Sequence, residues 1–160
     1  MIILFLCNEI LHFINSNPNK NIAIFVDMDG VIADYRFGEG EKIKNNIPGI
    51  YLNKRPIYAT INNLQNISKT CNIDLYILSS CLYPEQVDEK NQWLDKYAPF
   101  FASENRYYVL PRDFDGRKNM KVDKLISIMV QKKIDIAILI EDTHEILFEA
   151  ITKLKNKVLP

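Results

Sequence analysis

Short unbroken apolar runs alternate along the chain with stretches in which apolar positions recur every three to four residues. The most abrupt run, Ile22-Ala23-Ile24-Phe25-Val26, stops at Asp27-Met28-Asp29-Gly30-Val31. Continuous β-branched and aromatic residues read as a strand buried on both faces. Similar runs predict a strand over Ile73–Leu78 ending in Ser79-Ser80, a short one over Tyr107–Leu110, and a strong one over Ile134–Ile140 ending in Glu141-Asp142. Helical spacing predicts helices over 57–69 (Ile57, Ile61, Leu64, Ile67) and from Pro84 to Pro99 (Val87, Trp93, Leu94, Tyr97 inward). A third carries Val122, Leu125, Ile126 and Met129, and a fourth runs from about 145 to 155. Pro84 suits a first turn and Glu85 its positive end. An amphipathic helix over roughly 2–15 is stopped by Asn15-Ser16-Asn17-Pro18. Residues 35–56 lack periodicity and carry Gly38, Gly40, Pro48, Gly49 and Pro56, so they read as loops. Lys157-Val158-Leu159 reads as a final edge strand.

Strands alternating with helices predict an α/β fold, a parallel sheet with right-handed crossovers. In such sheets ligands bind beyond the carboxyl ends of the strands. Three predicted strand ends bring polar groups to that rim: Asp27 and Asp29, Ser79, and Glu141 with Asp142.

At 160 residues the chain fits one domain with a substantial core. Its composition, 48% apolar and 25% charged, is that of a soluble globular protein. Twenty basic and twenty acidic residues leave no net charge to steer it to nucleic acid or anionic membranes. Cys7, Cys71 and Cys81 are odd in number and lack metal-ligand spacing, which fits a reduced, cytoplasmic setting. Cys81 reads as a packed thiol. The apolar stretch Ile2–Cys7 is too short to span a bilayer and lacks a basic segment before it. It is expected to pack on the domain or to form a contact in a homo-oligomer.

In an extended chain Asp27 and Asp29 point to one side. Two like charges so placed call for a cation or a shared proton, and Mg²⁺ is the usual oxygen-bound partner in phosphate chemistry. Asp-x-Asp alone is a weak signal among twenty acids; its position at a buried strand's end makes it a strong one. Gly30 permits a turn and close backbone approach to a ligand.

Together these segments resemble the haloacid dehalogenase (HAD) superfamily over roughly residues 22–155. The resemblance rests on Asp27-Met28-Asp29-Gly30-Val31, on Ser79 ending the second strand, and on Glu141-Asp142 after Ile138-Leu139-Ile140. Glu89-Lys90-Asn91-Gln92-Trp93-Leu94 is similar to a segment of the 5′(3′)-deoxyribonucleotidase-like branch. The resemblance implies a Rossmann-like three-layer core with a small cap insert after the first strand. It implies that Asp27 attacks phosphorus to form an aspartyl-phosphate, and that Asp29 protonates the leaving oxygen and then deprotonates water. Asp27, the Asp29 carbonyl and Asp142 would hold Mg²⁺, and Ser79 would donate to a phosphoryl oxygen, with Ser80 the second choice. The basic segment 117–124 would supply a lysine, Lys121 or Lys118, with Lys124 third. Where the branch commonly has two aspartates this chain has Glu141-Asp142, so Glu141 reaches one methylene further toward the ion's surroundings.

Four carboxylates, one Mg²⁺, one lysine and a phosphate dianion overload the expected site, which predicts a proton on Asp29 in the substrate complex. The implied organisation is an accessory helix over 1–20 and a catalytic domain over 21–160, with the cap at about 35–56. Tyr35, Phe37 and Tyr51 are candidates to stack on a base or to pack the cap, and Trp93 reads as a core anchor. Arg36 and Arg55 could meet a distal anion. The expected activity is Mg²⁺-dependent hydrolysis of a small-molecule phosphomonoester, a nucleoside monophosphate first and a sugar phosphate second. A non-catalytic phosphate- or protein-binding domain is the competing class. Neither nucleic acid nor membrane is an expected partner.

Overall fold

The computed structural model describes residues 2–36, 38–71, 73–110 and 120–154, with side chains from Asn8 onward. Its elements are α1 (Ile2–Asn15), β1 (Ile22–Val26), α2 (Glu39–Lys44), α3 (Tyr58–Cys71), β2 (Asp74–Ser80), α4 (Pro84–Tyr97), β3 (Arg106–Val109), α5 (Met120–Lys132), β4 (Ile136–Ile140) and α6 (His144–Leu154). The expected strand over 157–159, Phe37, Lys118 and the Cys7 side chain lie outside the described residues.

Among these residues the four strands form one parallel sheet in the order β3-β2-β1-β4. β1 is central and buried at all five positions, as its unbroken apolar run requires. The order in which strands are added reverses at β1, with β2 and β3 on one side and β4 on the other, so the crevice beyond its carboxyl end is the switch point where such folds bind ligands. Alternate residues of β1 serve two cores. Ile22, Ile24 and Val26 pack with Leu64 of α3 and Trp93 of α4, while Ala23 and Phe25 pack with Leu125 and Ile128 of α5. The architecture is the expected three-layer α/β arrangement. Ile10 of α1 joins the first core, beside α3.

Local chemistry sets the element ends. Ser16 Oγ donates to the His12 carbonyl and the Asn17 side-chain amide to Phe13, closing α1. Pro84 opens α4 with Glu85 in its first turn. One expectation is corrected: the segment read as loops contains the short helix α2. Six residues with no buried position leave no apolar periodicity to detect.

Candidate active site

The site is assembled by strand register. Val26 pairs with Ile77 of β2 and with Ile140 of β4, so the next residue, Asp27, lies level with Glu141 across the sheet. The Asp27 amide donates to the Ile140 carbonyl at 2.9 Å, extending the ladder one residue past the strand. Asp27 has the parity of Phe25 and faces α5, where Lys121 Nζ lies 2.9 Å from its Oδ1 and also binds Glu141. Asp27, Glu141 and Asp142 bring oxygen atoms within 4.8 Å of one another. Lys121 is buried despite its charge, and its two carboxylate partners account for that.

Beyond Asp27 the strand geometry ends. The amides of Ile32 and Ala33 both donate to the Met28 carbonyl, and Gly30 takes φ +75°. A side chain on Gly30 would put its Cβ 2.0 Å from Asp142 Oδ2, so glycine is required both for the turn and for the approach of Asp142. Asp27 and Asp29 were expected to point to one side of an extended strand, and the chain turns between them. Asp29 meets a different set of partners. Lys90 of α4 donates to its Oδ2 at 2.7 Å, and Lys54 lies 3.2 Å from its Oδ1.

Lys90 and Lys54 carry no functional assignment in the sequence reading. Lys90 is completely buried and donates as well to Ser79 Oγ at 2.8 Å and to the Ser80 carbonyl at 2.9 Å. Ser79 has the parity of Ile77, which turns it toward α4 and Lys90. Ser80 is exposed and contributes its backbone. Lys54, from the loop before α3, also binds Glu39 at 2.6 Å and the Asp34 carbonyl. A signal for Lys90 was present: it shares α4's buried stripe with Gln86, Trp93 and Leu94, and a lysine on an inward face needs a partner. Lys54 lies in a stretch without periodicity and gave none. Tyr35, half exposed, lies under the Lys54 ammonium, 4.9 Å from its ring centre.

The two aspartates are tuned oppositely. Burial pushes the Asp27 carboxyl above its usual range, Lys121 opposes this, and Glu141 adds to it. Burial also acts on Asp29, but Lys90 and Lys54 outweigh it and hold that carboxyl below its usual range. Burial works against the charge on Lys90, and Asp29 more than restores it. The proton expected on Asp29 in the substrate complex followed from counting one lysine; among the described residues three stand beside these carboxylates.

The all-oxygen donor set of Asp27, Glu141 and Asp142 suits a hard divalent cation. Asp27 Oδ1 has no hydrogen bond of good geometry, although Lys121 pairs with it electrostatically. Among the described residues five carboxylates, counting Glu39, meet three buried lysines, a formal excess of two negative charges that one such ion cancels. A cleft of about 270 Å³ opens beside Gly30, Glu141 and Asp142, with Ile10, Leu64 and Ile67 among its walls.

No known protein-family profile matches the chain, and no curated protein does. Among solved structures, a class C acid phosphatase from Bacillus anthracis with tungstate bound is similar. The two share 14% identity and a TM-score of 0.52, over 98% of this chain and 87% of that one. The fold is HAD-like. Within that HAD-like scaffold, Asp27, Asp29, Ser79, Lys121, Glu141 and Asp142 gather at one rim. No described helix is long and apolar enough to cross a membrane.

Proposed function

We propose that the chain is a divalent-metal-dependent phosphomonoester hydrolase. The observation that carries this reading is the meeting of Asp27, Glu141 and Asp142 around one point, with Lys121 beside them and Asp29 held between two lysines. Asp27 attacks phosphorus, and one displacement becomes two easier ones through an aspartyl-phosphate. Ser79 Oγ, which accepts from Lys90, retains its own hydrogen to donate to a phosphoryl oxygen. Lys121 balances negative charge between Asp27 and Glu141, and Lys118 remains the alternative in the basic segment. Asp29 gives a proton to the leaving oxygen and later takes one from the attacking water. Because Asp29 rests ionised, the first proton enters with the substrate monoanion, moves to Asp29 and leaves on the alcohol. Asp27, Asp142 and the Asp29 carbonyl would hold the ion, with Glu141 adjoining it. Bound Mg²⁺ would neutralise charge on the transferring phosphoryl group.

The tungstate-bound acid phosphatase of similar fold supports a tetrahedral oxyanion as ligand. Residues 21–160 form the catalytic unit in this proposal, with a small cap at about 35–56. Tyr35 at the rim supports a nucleoside monophosphate as substrate, by stacking on its base. The test is turnover of p-nitrophenyl phosphate with Mg²⁺. Wild type is expected to release p-nitrophenol only with the ion, and Asp27→Asn to release none while keeping its fold. Absence of turnover with every divalent ion and phosphoester tried would replace the enzyme with a binding domain.

A further inference from the structure

α4 serves the site twice. Lys90 reaches Asp29 Oδ2 directly. One turn later Trp93 Nε1 donates to the Lys54 backbone carbonyl at 2.9 Å, and Lys54 Nζ faces the other oxygen, Asp29 Oδ1. Residues three apart share a helix face, so one stripe of α4 governs both sides of one carboxylate. The same helix fixes the loop that carries Lys54. Glu89 accepts from the amides of Gly49 and Tyr51, and Gln86 donates to the Ile43 carbonyl. Glu39 of α2 and the Asp34 carbonyl occupy the other directions of the Lys54 ammonium, whose side chain is wholly buried.

Resting on the phosphatase reading, we propose that Lys54 is a positioning residue. Tied by Trp93 through its backbone and by Glu39 through its ammonium, it forms with Lys90 a two-sided clamp that holds the Asp29 carboxylate in its working orientation. The clamp also makes the cap segment a part of the catalytic geometry. If α2 shifts, Glu39 moves Lys54, and Lys54 moves the group that handles the proton. Two of the Lys54 ammonium hydrogens go to Glu39 and the Asp34 carbonyl, and the buried ammonium pairs electrostatically with Asp29 Oδ1, so its effect falls on the chemical step and not on substrate affinity.

Two readouts test this. Ammonium ¹⁵N NMR should show a slowly exchanging Lys54 signal, assigned with Lys54→Arg, beside that of Lys90. Glu39→Gln and Trp93→Phe should each accelerate exchange at Lys54 and leave Lys90 slow. With p-nitrophenyl phosphate and Mg²⁺, each should lower kcat about tenfold with KM unchanged, and Lys54→Met about a hundredfold. Adding Glu39→Gln to Lys54→Met should cost nothing further, because Glu39 acts through Lys54. Glu39→Gln removes no core volume, so it serves if Trp93→Phe folds poorly. A Lys54 ammonium exchanging as fast as surface lysines, losses that multiply in the double variant, or a rise in KM in place of a fall in kcat would overturn the clamp. Wild type without turnover would remove the phosphatase reading alone. The NMR result would then decide the clamp: a slow Lys54 signal supports it and a fast one overturns it.

Discussion

Asp27 and Asp29 are one residue apart and answer to different lysines, with consequences for stability. The Asp29 carboxyl titrates below its ordinary value of 3.8. Its ion pairs therefore add stability that is complete above that value and is lost as pH falls through the lowered one. Asp29→Asn should be clearly less stable than wild type at pH 7, and the gap in urea midpoint should narrow at pH 3. Lys90→Met removes the direct hydrogen-bond donor to the Asp29 carboxylate and leaves it Lys54 alone, which should cost about 3 kcal/mol, measurable by the same titration. Cys81 is buried beside this cluster, and burial pushes its thiol up to about 11, with Asp29 and Asp27 adding to the shift and Lys90 opposing it. Iodoacetamide at pH 7.5 should leave Cys81 unmodified in the native protein and alkylate it in urea, read by mass spectrometry. The packed thiol expected from the sequence is what the structure contains.

At the level of elements, the strand ends place the acids and the helices supply the counter-charges. Parity along β1 sends Asp27 toward α5 and Lys121, and parity along β2 sends Ser79 toward α4 and Lys90. The turn after β1 is as specific as the strand. Gly30→Ala would strain a positive φ and drive a methyl into Asp142. Its expected result is weakened Mg²⁺ binding, seen as a loss of metal-induced thermal stabilisation larger than the loss in stability without metal. The α4 segment 89–94 stood out in the sequence through a resemblance. Its physical basis is that Lys90, Trp93 and Leu94 share one buried face, with Glu89 on the adjoining flank toward the cap loop.

For the molecule as a whole, charge balance unites the site. Among the described residues three lysines against five carboxylates leave room for one divalent ion, so Mg²⁺ should raise Tm by binding the native state alone. A hundredfold excess over Kd is worth about 2.7 kcal/mol, and EDTA should reverse it. If the first proton arrives on the substrate, kcat/KM should fall as pH rises through the second ionisation of an alkyl phosphate, near 6; a flat profile from pH 5 to 8 would show another proton source. The elements and the acidic rim were legible in the sequence because burial on two faces demands unbroken apolar runs. Residues that end such runs must then lie at the carboxyl edge of the sheet. Lys121 was legible because it opens a helix whose apolar pattern is clear. Lys54, Glu39 and the divergence of Asp29 from Asp27 were decided by tertiary structure alone. A loop residue's partner depends on where the turn at Gly30 sends the chain and on which helix packs above it, and local periodicity encodes neither.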